Sequence, residues 1–360
     1  MTTAGICLDP LDVLFFRDGR PFGAASRVTS GWPTPQVLAG AVRTALLEKY
    51  GCPFEALKKQ SRTVSFIDCL PVDHRWIGGI HFRGPWLCQL PDSAAGNTTD
   101  VPDLFLSVPS TIHVGKKGLS NTVHLLEPLQ KNKLPGWHDP QELRPLWLKG
   151  TDATEAALGF INATGLFAFL MGQKPEKDQL SRPDQFSTLD NRTGIGIHAD
   201  KLVTGDGEIY GVSFLSLKKG YGFYAEVVLP EDAPGDALSG IQFLAFGGEG
   251  KRVRFQQVKP FSFPASQTTN SNSKTLILLT TPSVVDSTGI PSSIKDRTTA
   301  AAINSPIAIS GWDLARGGPK PTRFAAPAGS VYFLNDALPP PDLTDELGYG
   351  CYLQGVWNDV

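Results

Sequence analysis

The sequence predicts an α+β fold made of two tandem units, each with the element order strand–helix–strand–strand–helix–strand. Hydrophobic residues make up 41% of the 360 residues and charged residues 19%, a composition typical of a folded chain long enough for two domains. Strand-like and helix-like segments recur in that order twice, without a close sequence repeat. We therefore place the boundary near residue 200, which gives units at 1–200 and 201–360.

The first unit opens with a strand and a helix. The apolar segment Gly5–Phe16 predicts a strand that runs into a loop. Thr34 then precedes Pro35, as an N-cap precedes a proline in the first helical turn. Apolar residues recur at helical spacing as far as Tyr50, and Gly51 supplies a stop signal. The pattern predicts a helix between that proline and that tyrosine.

The later elements are predicted from apolar patterning and turn residues. They are a strand over 76–90, a helix over 152–172, a hairpin over 208–230, a short helix over 237–246, a half-exposed strand over 251–258, and strands over 276–280, 330–334 and 351–357. Residues around 91–135 are rich in polar and turn-forming residues and are interpreted as an insertion that carries Lys116 and Lys117.

The bulk charge and the cysteines limit the class of protein. The net charge of −2 and the isoelectric point near 6.3 exclude a large, non-specific nucleic-acid footprint but leave room for a local basic patch. The five cysteines are scattered, with no C-x-x-C pair, which is typical of a reducing compartment. With no signal-peptide pattern and no apolar run of about 18 residues, we expect a cytoplasmic protein without a membrane span.

The sequence lacks the motifs of several common enzyme classes. Gly250-Lys251 and Gly115-Lys116 both lack the upstream glycine and the following Ser or Thr of a phosphate-binding loop. The six histidines form no pair at metal-ligand spacing, and the nucleophile motif G-x-S-x-G does not occur. We therefore expect no catalytic residue, no metal and no cofactor.

Three stretches combine basic residues, glycines and aromatics: Leu8–Phe22, Phe246–Arg252 and Leu347–Trp357. Arginines, lysines and backbone N–H groups bind phosphates, and glycines let the backbone approach RNA closely. Aromatic side chains stack on unpaired bases. The combination indicates a surface for single-stranded nucleic acid.

These stretches resemble the RAMP superfamily of CRISPR proteins, and most of all the third subunit of the Cmr (type III-B) effector complex. The segment Asp…Phe-Arg-Asp-Gly-Arg-Pro-Phe and the following Pro…Gly-x-x-Arg helix carry the resemblance, with Arg192–Ile197, Phe246–Glu249 and Pro327–Phe333. The resemblance implies two tandem ferredoxin-like (RRM-like) domains with loop insertions. It also implies a non-catalytic subunit that binds the 5′ tag of the guide RNA and contacts the large polymerase-like subunit and the backbone subunits, in support of antiviral defence.

The candidate RNA-binding residues are those whose chemistry suits phosphates or bases. They are Arg17, Arg20, Trp32, Arg43, Lys116, Lys117, Arg192, Gly247, Gly248, Lys251, Arg252 and Arg254. Each also has an ordinary structural alternative. The arginines and lysines could form surface ion pairs or a solvated face, the tryptophan could pack in the core, and the two glycines could end a helix.

Two other functions stay open. The chain could be a RAMP endoribonuclease that matures guide RNA, with His198 as the acid–base group. Nothing in the sequence orients that histidine, so we expect no cleavage. The chain could instead be a protein scaffold that contacts no RNA.

Overall fold

The fold was obtained as a computed structural model. The structure describes residues 1–17, 27–52, 55, 57, 59, 66–91, 101–116, 122–130, 133–139, 141–150, 153–195, 209–264, 273–313, 318–337, 339 and 342–359. The described residues form a mixed α/β fold in which sheets predominate.

Among the described residues, the helices with defined bounds are α1 (Pro35–Lys49), α2 (Phe66–Cys69) and α3 (Ala163–Leu170). Short 3₁₀ helices lie at Val72–Ile77, Lys177–Gln179, Pro183–Gln185 and Ser292–Arg297. The prediction for α1 is confirmed. Pro35 is its first residue, and Gly51 just beyond its end has a φ of +64°, a left-handed conformation that glycine adopts without strain.

The strands fall into seven sheets within the described residues. In the first half of the chain they are β1 (Thr2–Pro10), β2 (Arg27–Thr29), β3 (His81–Gln89), β4 (Asp103–Ser107), β5 (Ile112–Gly115), β6 (Val123–Leu125), β7 (Glu127–Pro128), β8 (Leu146–Trp147), β9 (Thr154–Ala156), β10 (Phe160–Asn162), β11 (Leu180–Ser181) and β12 (Ser187–Ile195). In the second half they are β13 (Ile209–Leu217), β14 (Tyr221–Leu229), β15 (Phe243–Ala245), β16 (Arg252–Val258), β17 (Ser273–Leu279), β18 (Ser283–Val284), β19 (Thr298–Ala302), β20 (Ile307–Ile309), β21 (Trp312–Asp313), β22 (Gly318–Pro319), β23 (Arg323–Ala326), β24 (Val331–Leu334) and β25 (Tyr352–Asn358).

The largest sheet has eight strands in the order β11-β10-β4-β3-β14-β1-β16-β15. β1 is antiparallel to β14 on one side and to β16 on the other, and β14 is antiparallel to β3. A second sheet near the C-terminus has the order β19-β24-β17-β25, also antiparallel throughout. A third sheet, β12-β13-β2, lies beside the end of β1.

Two hydrophobic cores cover the two faces of the eight-stranded sheet. One packs α1, through Leu38, Val42 and Leu46, against side chains of β1, β3, β14 and β16. The other joins the opposite face to α3 and to the C-terminal sheet, with Trp86 and Tyr224 among its members. The alternation predicted for β16 is confirmed, because Val253 and Phe255 are buried while Arg252 and Arg254 are exposed.

The predicted hairpin over 208–230 is wrong in its pairing. Both strands exist at the expected positions, but β13 pairs with β12 and β2, whereas β14 pairs with β1 and β3. The turn between them passes the chain from one sheet to another. Local turn signals could not reveal this, because the choice of strand partner depends on distant segments.

Of two further predicted helices, the one over 152–172 is confirmed only in its second half, and the one over 237–246 is wrong. Residues 152–172 contain β9, β10 and only then the short helix α3, because Gly159 has a φ of +113° that no helix allows. Residues 237–246 form turns followed by β15, which pairs with β16. A short run of apolar residues is compatible with a helix or with a strand. Here the segment forms a strand because it can pair with the edge of β16.

The region predicted as an insertion contains regular structure. β4 joins the large sheet, and β5, β6 and β9 form a small sheet of their own. The predicted boundary near residue 200 lies outside the described residues. β14 and β16 from the second half pair directly with β1 and β3 from the first. A division there would separate strands of one hydrogen-bonded sheet.

Within the described residues, no helix has the length and apolar character needed to cross a bilayer.

Candidate nucleic-acid interface

The segment that follows β1 is held in place at three points. Leu14 exchanges two backbone hydrogen bonds with Leu215 of β13, at 2.8 and 2.9 Å. The carbonyl of Phe15 accepts the N–H of Gly248 at 2.8 Å, and the N–H of Phe16 donates to the hydroxyl of Ser30 at 2.9 Å. The position of Arg17, the next residue, is therefore set by sheet and loop contacts on both sides.

A surface pocket of about 320 Å³ opens at this place, and we call it the Phe214 pocket. Its lining residues come from the segment after β1, from β12, from β13 and from the glycine-rich loop before β16. They are Phe15, Arg17, Arg192, Thr193, Gly194, Tyr210, Val212, Phe214 and Glu249. The volume lies at the lower end of the range typical of small-ligand sites, roughly 300–1,000 Å³.

Aromatic rings line much of this pocket. Phe15 and Phe214 are both buried, with ring centroids 5.3 Å apart. The ring of Tyr210 lies over Gly194, its cross-strand partner, so closely that a Cβ on this glycine would overlap the ring. The missing side chain thus sets the position of the tyrosine.

Two cations flank the Phe214 ring. The Arg192 guanidinium lies 4.9 Å from the ring centroid and the Lys251 ammonium 5.1 Å. Contacts of this kind hold a positive charge against an aromatic face. With Arg17 on the pocket lining, three of the predicted RNA-binding side chains meet at one site although they are far apart in the sequence.

Carboxylates accompany these cations. Asp190 accepts from Arg192 at 2.7 Å, and Asp12 accepts from Lys251 at 3.0 Å. The hydrogen bond to Asp190 raises the pKa of Arg192, and the backbone N–H of Val13 followed by Lys251 lowers the pKa of Asp12. The lowered pKa keeps Asp12 ionised at neutral pH. The ion pairs with Asp12 and Asp190 partly neutralise the two cations in the free chain.

Two further predicted residues lie on β16. Arg252 is exposed, with its guanidinium 5.6 Å from the ring of Phe243, and Arg254 forms a long ion pair with Asp9 at 3.8 Å. Arg252 and Arg254 lie on the exposed face of β16, which begins directly after Lys251, so they add positive charge along this strand. We call Arg17, Arg192, Lys251, Arg252 and Arg254 the basic surface.

The glycine-rich loop contacts the chain itself. Gly247 has a φ of +90°, and a Cβ there would come within 2.5 Å of the carbonyl oxygen of Phe15. The N–H of Gly248 donates to that same carbonyl, so it is used inside the fold. These contacts give Gly247 and Gly248 a structural role, and contact of their backbone with RNA stays an untested prediction. The loop follows β15 rather than a helix, so the helix-ending alternative is wrong as well.

Arg43 has partners within the fold. It lies on α1, and its guanidinium donates to the carbonyls of Gly78 and Ile80, each at 3.2 Å, beside the ring of Phe82. Burial lowers the pKa of Arg43, and the charge of Glu346 opposes that effect. The guanidinium thus joins the helix to the turn before β3, and we leave Arg43 out of the basic surface.

Replacing Arg43 with alanine is expected to lower the free energy of unfolding by about 2 kcal/mol, since two carbonyls lose a charged donor. Thermal unfolding of Arg43→Ala checks this, with Arg182→Ala as a control, because the Arg182 side chain is 84% exposed. RNA affinity of the folded variant should equal that of the wild type. A large loss of RNA affinity without a loss of stability would indicate that Arg43 contacts RNA.

The other predicted residues are dispersed. Trp32 is 36% exposed and packs edge-on against Phe160, at 5.1 Å between ring centroids. Lys116 is exposed next to β5, in the small sheet. Arg20 and Lys117 lie outside the described residues, as does His198, the candidate acid–base group of the alternative enzyme function.

Several residues of the site escaped sequence reasoning. Phe214 and Tyr210 look like ordinary strand residues, and Asp12 and Asp190 look like ordinary surface carboxylates. One signal was available, because Glu249 stands between two glycines, where a residue with a long charged side chain is unusual. Its φ of +59° is rare for a residue with a side chain. Among the residues that the structure describes, no cluster of three or more metal-binding side chains occurs.

The sequence matches the family model of a CRISPR-associated protein, Cas_Cmr3, over residues 6–357. The chain therefore belongs to the Cas_Cmr3 family of CRISPR-associated proteins, as the resemblance predicted.

Solved structures show related folds at low identity. A chain in a structure of the type III-B Cmr-beta complex bound to cognate target RNA is 14% identical, with a TM-score of 0.51, over 91% of this chain and 86% of that one. A chain from the same complex with target RNA and AMPPnP is 15% identical, with a TM-score of 0.50 and the same coverage. A chain of the Csm3–Csm4 subcomplex of a type III-A complex is 12% identical, with a TM-score of 0.45, over 97% and 98% of the two chains. No curated protein is significantly similar to this chain.

Proposed function

We propose that this chain is a non-catalytic subunit of a type III CRISPR effector complex and that its basic surface binds the 5′ tag of the guide RNA. The observation that carries the proposal is the meeting of Arg17, Arg192 and Lys251 around the Phe214 pocket. Single-stranded RNA presents phosphates and unstacked bases, and this site offers cations beside aromatic rings.

Family membership supports the assembly part of the proposal. The structural relatives with TM-scores of 0.50 and 0.51 come from Cmr-beta complexes that hold target RNA. By the same resemblance, the large polymerase-like subunit and the backbone subunits are the proposed protein partners. The net charge of −2 fits a chain whose remaining surface contacts protein rather than nucleic acid.

The strand orders support a fold of two ferredoxin-like domains, with boundaries that differ from the predicted ones. We number β1, β3, β14 and β16 first to fourth along the chain. Across the sheet, these four strands then lie in the order fourth–first–third–second, and α1 lies between the first and the second along the chain. The strands β17, β19, β24 and β25 have the same arrangement in the C-terminal sheet. We propose that the first domain closes at β16 and contains the segment between β3 and β14 as an insertion.

The proposal is tested by co-expression of the tagged chain with the other subunits and a CRISPR array. Guide RNA is expected to copurify, and its 5′ tag should be protected from nuclease in complexes that contain this chain. The purified chain incubated with repeat RNA is expected to leave it intact. Specific cleavage that disappears in His198→Ala would favour the endoribonuclease, and tag protection in complexes that lack this chain would favour a scaffold.

Removing the carboxylates beside the cations is expected to strengthen RNA binding. In Asp12→Asn/Asp190→Asn, Lys251 and Arg192 lose partners that compete with phosphate. Exposed ion pairs contribute about 0.2–1 kcal/mol each, so the gain should be several-fold. Titration with labelled guide RNA measures it, with Asp184→Asn as a control at an exposed ion pair that does not line the pocket. Weaker binding in the double variant would contradict the assignment.

A further inference from the structure

Glu249 gives the Phe214 pocket a feature that phosphate binding does not explain. Glu249 lines the pocket together with Arg17 and Arg192. A carboxylate repels phosphate, so a site built for phosphate alone gains nothing from it. The backbone at Glu249 is held at a φ of +59° between Gly248 and Gly250, and strain of this kind persists where the surrounding structure or the function requires it.

The remainder of the pocket suits a flat ring. Phe15, Phe214 and Tyr210 contribute aromatic rings to the lining, of which Phe15 and Phe214 are largely buried, and Val212 adds an aliphatic contact. The packing of Tyr210 against Gly194 holds its ring at the site before any ligand arrives. A volume of about 320 Å³ accommodates one base with part of its sugar. Aromatic surfaces of this kind bind unstacked bases of single-stranded RNA.

We propose that the Phe214 pocket receives one unstacked base of the bound RNA and that Glu249 selects a base with N–H donors on its Watson–Crick edge, guanine above all. Guanine presents two neighbouring N–H donors, at N1 and N2, to the two oxygens of a carboxylate. Arg17 and Arg192 then face the phosphates on either side of the captured nucleotide. The inference rests on the proposed function, because it assigns a base preference to the same RNA site.

The test uses short single-stranded oligouridines, either unmodified or with a single guanine, adenine, cytosine or inosine. In such a strand the RNA can slide until the distinct base meets the pocket, so the natural tag sequence is not needed. The wild-type chain is expected to bind the guanine strand about tenfold more tightly than plain oligouridine, which is typical of a good two-point base contact. Inosine lacks the 2-amino group, so it should lose most of that advantage.

Glu249→Gln keeps the shape of the side chain and removes its charge, and it is expected to reduce the guanine preference to about twofold or less. Glu142→Gln is the matched control, because Glu142 has the same φ of +59° and does not line the pocket. Tyr210→Leu is a second variant. It should lower the affinity for RNA with and without guanine by similar factors, since it removes stacking and leaves the carboxylate of Glu249 in place. Thermal unfolding shows whether each variant is folded.

The outcomes separate this inference from the proposed function. An unchanged guanine preference in folded Glu249→Gln overturns the assignment of Glu249, even if RNA binds well. Equal binding of all strands by the wild-type chain overturns the base pocket while leaving the proposed function standing. A chain that binds no single-stranded RNA, alone or within its complex, overturns both.

Discussion

Simultaneous replacement of Arg17, Arg192 and Lys251 by alanine is expected to weaken guide-RNA binding on the order of 100-fold. Arg17 and Arg192 line one pocket, and Lys251 lies 5.1 Å from the centroid of the Phe214 ring, so an RNA strand at the pocket passes close to all three cations. Each charged contact with phosphate contributes about 1 kcal/mol. Fluorescence titration at a fixed salt concentration measures the loss.

The salt dependence gives an independent measure of the same contacts. For single-stranded RNA, each neutralised phosphate contributes about 0.7 to the slope of log affinity against log salt. The triple variant should therefore show a slope shallower by about 2. A loss of affinity with an unchanged slope would mean that the substitutions disturb the fold rather than remove phosphate contacts.

A control of equal charge is available elsewhere on the chain. Lys149, Arg182 and Lys295 are exposed, and each is paired with a carboxylate, as Arg192 and Lys251 are. They do not line the Phe214 pocket. Their triple alanine variant lowers the net charge by the same amount, so it should reproduce any general electrostatic effect. If both triple variants lost affinity equally, the basic surface would not be the binding site.

The second large effect is expected at Gly247. Alanine there must adopt a φ of +90° and would place its Cβ within 2.5 Å of the Phe15 carbonyl. The backbone strain alone costs about 1–2 kcal/mol, and relief of the clash must break the hydrogen bond from Gly248 to that carbonyl. We expect Gly247→Ala to lower the free energy of unfolding by about 3 kcal/mol, as measured by denaturant titration.

A substitution at Gly250 distinguishes the cost of backbone strain from the cost of the clash with Phe15. Gly250 lies in the same loop with a φ of +64°, and a Cβ there would meet no atom within 4 Å. Gly250→Ala therefore carries the backbone strain without the clash and should cost about 1 kcal/mol. Equal losses at the two positions would show that the close approach to Phe15 contributes nothing. The RNA affinity of folded Gly247→Ala would then show whether the loop also contacts RNA.

Local signals predicted α1 and β16 correctly, although they assigned β9, β10 and β15 to helices. The sequence Thr34-Pro35 with Gly51 defined α1, and alternation in Lys251–Val258 predicted β16, because caps and burial periodicity act through near neighbours. The same reasoning failed for strand partners. β13 and β14 look like a hairpin in sequence, yet each pairs with strands from other parts of the chain.

At the candidate site too, sequence reasoning selected some residues that lie together and one that does not. Arg17, Arg192 and Lys251 were selected from the sequence because their chemistry suits phosphate. Arg43 was selected for the same reason, yet its guanidinium bonds the carbonyls of Gly78 and Ile80. Residue type reports what a side chain can bind, whereas only its surroundings decide what it does bind.

By itself, the sequence determined the family, the main helix, the strand positions near the C-terminus and which residues are candidates for the proposed interface. These depend on residue identity and short-range spacing. The tertiary structure decided which strands pair, that Gly247 and Gly248 contact Phe15, and that Arg17, Arg192 and Lys251 meet at one pocket. Those features depend on contacts between segments up to about 240 residues apart, such as Lys251 with Asp12. Such contacts form only when packing of the whole core fixes the register of each sheet.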